Sequence, residues 1–237
     1  IHTVPLTDDE IEKYIDLTAQ LRRTGFGHED GTDVGLSARQ EQLLRDRRAL
    51  IEQASGKIAA LRDLLEPDSA TLSHTLIYCS AKAVKAPHTR RQIDLARELL
   101  GDLRITSHMF TSIETSRRDS RQFLTGFAAG DYQALLAMKV LDEGVDVPAA
   151  HQAFLLASST VEREWIQRRG RILRNSPGKT VADLHDFVVI PPDPNDSSAA
   201  SLLRSELRRA EHFAQDSINY YDDDGPSDQI QAIEQQL

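Results

Sequence analysis

Cysteine is almost absent: Cys79 is the only one in 237 residues. That excludes an intramolecular disulfide and any zinc site built on cysteines. The usage fits a reducing compartment and leads to the expectation of a cytoplasmic protein. No apolar run approaches the roughly 18 residues of a membrane span, so no membrane partner is expected, and no signal-peptide pattern is present. The chain opens on Ile1, already patterned there, and is expected to be a piece of a larger protein. No internal repeat is visible. Cations are in the minority, 28 Lys and Arg against 37 Asp and Glu, for a net charge of -9. A dedicated nucleic-acid module is usually basic, so this balance counts against one. The excess is local, however. From Asp193 onward ten acidic residues stand against three arginines, a net of -7, and the rest of the chain is free to present a basic face.

What is present is a change of texture near residue 70. Before it the pattern is helical. LTDDEIEKYIDLTAQLRR (6–23) opens with Thr7 and Glu10 spaced as a capping box, and Ile11, Tyr14, Ile15 and Leu21 follow at helical spacing. A Gly- and Asp-rich loop (25–35) leads to a second helical stretch over 37–65, with Gly56 as an internal weak point and Pro67 as its stop. After residue 70 short apolar runs alternate with helical ones. Strands are expected at 76–79, 104–110, 133–140, 153–158 and 180–190. Helices are expected at 90–101, closed by a glycine, at 116–130 and at 161–174. This alternation predicts a three-layer α/β domain with a parallel sheet and helices on both faces. PPDPNDSS (191–198) reads as a linker, 200–221 as a C-terminal helix, and the remainder as a loose acidic tail. The expected organisation is thus a connector and helical segment over 1–70, the α/β domain over 71–190, and a linker, helix and tail over 191–237.

The stretch QRRGRILRNSPGKT (167–180) holds two suggestions of phosphate binding. GKT has the ending of a P-loop, but that motif needs a second glycine five residues earlier and a strand-to-helix context. Here Leu173 occupies that position, and GKT follows a helix and enters a strand. It reads as a helix exit and turn. The arginines are different. Ser159 and Glu162 form a capping box, and at about 100° per residue Gln167, Arg171 and Arg174 fall on one stripe. Val161, Trp165, Ile166, Ile172 and Leu173 lie on the other side. Gly170 borders the polar stripe, where its small size allows close approach, although glycine costs about 1 kcal/mol inside a helix. The stripe is either a solvated face or a phosphate clamp, for which the planar guanidinium fork is suited. After the strand at 133–140 comes LDEGVDVP. Gly144 and Asp146 sit at the end of a strand, where open α/β sheets bind ligands. Asp146 is either a ribose acceptor or an ordinary loop acid. DEG here is not a magnesium-binding DExx box, for it follows the strand with no P-loop upstream. No metal-ligating set is assigned.

LLAMKVLDEGVDVP (135–148) resembles motif V of superfamily 2 helicases, and QRRGRILR (167–174) resembles their motif VI. LIYCS (76–80) is similar to the motif IV strand, so the resemblance covers about 70–190, a second RecA-like domain. DEGVDVP and QRRGRILR look closest to the XPB/RadD-like or restriction-associated branch. The resemblance implies the C-terminal motor domain of an ATP-dependent DNA helicase or translocase. ATP would bind between this domain and a P-loop RecA-like domain of the same protein, which would hold Mg2+ and without which this fragment would be inactive. Arg171 and Arg174 would reach the γ-phosphate, one as an arginine finger, with Gln167 assisting at the phosphate or coupling the site to nucleic acid. Gly144 and Asp146 would line the nucleotide. Ser80, Lys82 and Lys139 would contact nucleic acid, with DNA expected in preference to RNA. Met138 stands where many relatives have threonine, and AKAVKAPHTRR (81–91) is longer than usual and basic enough to form an extra phosphate-binding loop. The alternative is a non-catalytic RecA-like module that binds nucleic acid or regulates.

Overall fold

The computed structural model describes residues 1–26, 35–80, 90–110, 117–138, 147, 149–157, 170, 172, 179–192 and 197–235. Its elements are β1 (His2–Val4), α1 (Asp8–Arg23), α2 (Ala38–Glu52), α3 (Gly56–Leu65), β2 (Thr75–Tyr78), α4 (Gln92–Asp102), β3 (Ser107–Phe110), α5 (Arg117–Ala129), β4 (Ala134–Ala137), β5 (Gln152–Leu155), β6 (Asp183–Val189), α6 (Ser197–Ala214) and α7 (Pro226–Glu234). The strands form one six-stranded parallel sheet in the order β1-β6-β5-β2-β4-β3. The expected α/β class with a parallel sheet is therefore observed. TLIY and ALLA are buried along their whole length, as continuous apolar strands covered on both faces must be. By contact density the chain divides into two compact units. One holds Ile1, Thr3–Gly56 and Val188–Leu237, and the other holds His2 and Lys57–Phe187.

In the second unit the strand order fixes the layers. The step from β2 to β3 runs toward one edge of the sheet, whereas β3 to β4, β4 to β5 and β5 to β6 all run toward the other. Parallel crossovers are right-handed, so α4, which lies over β3 and β4, covers one face and α5 the opposite one. Both helices stop by the same device. At the end of α4, Ile105 N–H reaches the Leu100 carbonyl (2.8 Å) and Arg104 N–H that of Gly101 (3.0 Å). At the end of α5, Asp131 N–H reaches Gly126 (2.9 Å) and Gly130 N–H reaches Phe127 (3.1 Å). These are Schellman motifs, whose left-handed residue is usually glycine. Gly130 fits, at φ 86°. In α4 the helix runs past Gly101, and the left-handed residue is Arg104, at φ 58°. The expected closure by glycine is corrected to closure three residues later.

In the first unit α1 begins at the expected box, with Thr7 Oγ1 and Glu10 accepting from each other's backbone N–H. The stretch 37–65 is two helices rather than one. Ser37 and Gln40 form a second capping box for α2, the break falls at 53–55, and Gly56 opens α3. A Cβ at Gly56 would lie 2.7 Å from Val4 Cγ1 and 2.8 Å from the Pro5 carbonyl, so glycine there permits a close backbone approach. Glu10 serves both places. One carboxylate oxygen holds the Thr7 N–H (2.9 Å) and the other the Ser55 N–H (2.8 Å) at the break. Leu17, Leu21 and Leu43 are buried where α1 meets α2. Leu203, Leu207 and Ala210 of α6 are buried with Val188 and with Ile233 of α7. Two further expectations change. α6 starts at Ser197 and ends at Ala214, and the tail expected to be loose contains α7, begun by Gly225 with Pro226 in its first turn.

Candidate functional site

β2 is the strand whose outgoing connection runs against those of both its neighbours, β4 and β5. In an open α/β sheet the crevice beyond the carboxyl ends at such a reversal is where ligands bind. The three ends are level. Tyr78 is in register with Ala137 and with Leu155. The pairing continues one step further: Cys79 N–H donates to the Ala137 carbonyl (2.8 Å) and Leu156 N–H to that of Tyr78 (3.0 Å). The chain leaves this edge into 81–89 after β2, into 139–146 after β4 and into 158–169 after β5. These stretches carry most of the residues singled out from the sequence.

Two side chains hold the strand ends. Gln92, at the start of α4, accepts from the Ser80 N–H through Oε1 (2.7 Å). Lys57, in the first turn of α3, is 2% exposed and donates from Nζ to the Leu156 carbonyl (2.7 Å). Neither residue was singled out from the sequence. A signal existed for Lys57, since it shares the buried stripe of Leu61 and Leu65 at steps of four. A lysine in register with core leucines needs an acceptor inside. Gln92 carries no comparable signal, because a polar residue in a first helical turn is ordinary.

Of the expected site residues, Ser80 is described: it follows β2 and is buried. Lys82, Lys139, Gly144, Asp146, Gln167, Arg171 and Arg174 lie outside the described residues. Around them, Gly170 is helical and exposed while Ile172 is helical and fully buried. That is the phase in which the sequence pattern turns its apolar side inward. Lys179 donates to the Ile172 carbonyl, so the GKT lysine bonds the backbone of the preceding helical residue. Burial lowers its pKa. Leading on to β6, it stands on the helix-to-strand side, where a P-loop lysine does not belong.

The other described residues near this edge, Cys79, Arg90 and Arg91, are occupied or inert. Burial, reinforced by the Asp94 charge, pushes the Cys79 thiol far up, so it stays protonated and is no nucleophile. Arg91 grips Asp94 through two hydrogen bonds (2.8 and 2.9 Å), which hold that carboxyl below its usual range. Arg90 pairs with Glu98. The two arginines that close the basic stretch 81–91 are thus engaged by carboxylates of α4, in exposed pairs that contribute little to stability. Among the described residues no cluster of His, Cys, Asp and Glu could hold a metal ion, and no helix is long and apolar enough to cross a membrane.

The family model of the helicase conserved C-terminal domain matches residues 56–176. A stretch of 61 residues is 39% identical to the DNA 3'-5' translocase XPB2 of Sulfurisphaera tokodaii, a match that covers 26% of this chain and 14% of that relative. Among solved structures, the C-terminal part of the Fun30 ATPase domain aligns over 86% of this chain and 88% of its own, with TM-score 0.56 at 13% identity.

Proposed function

We propose that this chain, which belongs to the helicase conserved C-terminal domain family of superfamily 2, is the second motor domain of an ATP-dependent DNA helicase or translocase. The observation that carries the reading is the level carboxyl edge of β4, β2 and β5 at the reversal of the sheet. The stretch resembling motif IV is β2 with its carboxyl end, the one resembling motif V runs out of β4, and the one resembling motif VI comes after β5. DNA is preferred to RNA because the identified relative is named as a DNA translocase.

ATP, when bound, would supply the phosphoanhydride whose hydrolysis drives the cycle, and Mg2+ would be held mainly by a P-loop domain of the same protein. From this chain Arg171 and Arg174 stabilise charge on the γ-phosphate, as an arginine from outside the P-loop does in phosphoryl transfer. Gln167 orients at the same phosphate. Gly144 and Asp146 border the nucleotide, with Asp146 accepting from the ribose. Lys82 and Lys139 hold backbone phosphates of the nucleic acid, contacts that position a strand without reading its sequence. Ser80, whose amide Gln92 fixes, closes the end of β2. The residues at hand fit a nucleotide because they offer cationic, fork-shaped donors next to a glycine with an exposed helical backbone.

In the full-length protein, Arg171→Ala is expected to lower ATP turnover by about a hundredfold or more with little loss of nucleotide affinity. Equal loss of both would remove the finger role. The isolated fragment is expected to show no magnesium-dependent ATPase. Turnover by the fragment that Lys179→Ala abolishes would restore the P-loop reading.

A further inference from the structure

The turn between α6 and α7 is acidic, apolar and rigid at once. Ile218 is 85% exposed and Tyr221 87%, in a region where Leu207, Phe213, Ile230 and Ile233 are buried. Exposed apolar side chains are common singly, but these two stand three residues apart on a turn that its own backbone locks. Ser227 N–H donates to the Tyr220 carbonyl (3.1 Å), Gly225 N–H to Asp222 (2.8 Å), and the Gln229 amide to the Asp224 carbonyl (2.8 Å). Asp224 is left-handed at φ 59°. A Cβ at Gly225 would lie 2.4 Å from the Asn219 carbonyl, so the turn closes only on glycine. The Tyr220 ring meets Tyr221 edge-on at 4.8 Å. The pair is therefore held outward by a built loop, with little ordering left to cost on binding.

Asp222, Asp223 and Asp224 follow Tyr221 directly, and no described cation pairs with their carboxylates. This decides the class of partner. An exposed tyrosine could stack on a nucleic-acid base, but three adjacent carboxylates repel a phosphate backbone. They complement a cationic surface instead. We propose that this turn is a docking site for a basic protein segment that carries apolar side chains, with Ile218 and Tyr221 as anchors and the three aspartates as a steering rim. The site lies within the α6–α7 unit and does not depend on the ATP chemistry proposed above.

The test uses the full-length protein and three probes in fluorescence anisotropy: a labelled peptide KRKLFKRK, its counterpart KRKSSKRK, and a dT20 oligonucleotide. The first peptide is expected to bind, and the double variant Ile218→Ser/Tyr221→Ser to weaken it about tenfold or more, as loss of anchors does. The triple variant Asp222→Asn/Asp223→Asn/Asp224→Asn should weaken it too and flatten its salt dependence. KRKSSKRK should bind the unmodified protein no better than KRKLFKRK binds the double variant. All substitutions are of exposed side chains, and an unchanged melting temperature verifies the fold. No detectable binding of KRKLFKRK overturns the proposal, as does equal affinity for wild type and both variants. Loss of dT20 binding in the double variant, with peptide binding unaltered, would assign the turn to nucleic acid instead.

Discussion

Acid should weaken this domain before its carboxylates titrate, because it holds two histidines neutral. His185 on β6 is half-buried between His2 and Gln152, and its ring stacks on Phe154 at 4.4 Å. Gln152 Nε2 can only donate, so His185 Nε2, 3.1 Å away, accepts, and its proton sits on Nδ1. Nδ1 then donates to His2 Nε2 at 2.9 Å. The chain has no place for an extra proton on either ring. Burial, first of all, lowers His185 from 6.5 to about 4. His2 is lowered to about 4 as well, by burial first and by His185 after it, against a smaller opposing pull from Asp186. Between these values the unfolded chain binds more protons than the folded one, so stability rises with pH there and is flat above about pH 7. At about 1.4 kcal/mol per pH unit, His185 alone accounts for about 2 kcal/mol lost on going from pH 7 to pH 5, and about 3 kcal/mol by pH 4. Urea unfolding at pH 7.5, 6, 5 and 4.5, on wild type and His185→Gln, reads the effect of the pair, because titrations other than those of His185 and of its partner His2 are common to both. The wild type should lose about 2 kcal/mol more than the variant by pH 5. Parallel curves would refute the account of a neutral pair.

Two further outcomes are expected. Arg104→Gly should raise stability by about 1 kcal/mol, because glycine takes the left-handed closure of α4 without a Cβ clash, and an unchanged or lowered midpoint in thermal unfolding would contradict it. Lys57→Met should lower stability by about 1–3 kcal/mol, read as a lower urea midpoint at an unchanged slope, since it leaves the Leu156 carbonyl without its buried donor; an unchanged midpoint would show that the end of β5 does not depend on it.

Much of the α/β unit was legible because each strand is a short apolar run and each helix an amphipathic one. TLIY, ALLA and QAFL announce themselves by composition alone. The misplaced boundaries share one cause. Glycine at 101 looks like a stop, but a helix ends where tertiary packing lets the next turn reverse, and here that is at Arg104. The break at 53–55 was hidden because leucines continue on both sides of it; what ends α2 there is a long-range contact, from Glu10 to the Ser55 amide, which has no local signature. In α7 the signal was available. Gly225-Pro226 followed by Ile230 and Ile233 is a helix start with a buried face, masked by the acidic run before it. For the candidate site, the motifs could be read because their residue types are chemically specific. Of the two side chains that fix its frame, Lys57 had a signal in its place among buried leucines, although its acceptor is 99 residues away, and Gln92 had none, because a polar residue in a first helical turn is ordinary.

The sheet order also sets the sequence of events in folding. β2 is central, yet it pairs only with β4 and β5, Thr75 meeting Ala134 on one side and Gln152 on the other. No strand beside it is contiguous in the chain. During synthesis, TLIY must therefore wait, apolar and unpaired, until residues 134 to 155 have emerged. Non-local pairing of this kind slows folding and leaves a sticky strand exposed in the meantime. A nascent chain stalled before residue 134 would present that strand to chaperones, and one released after residue 155 could bury it on both sides.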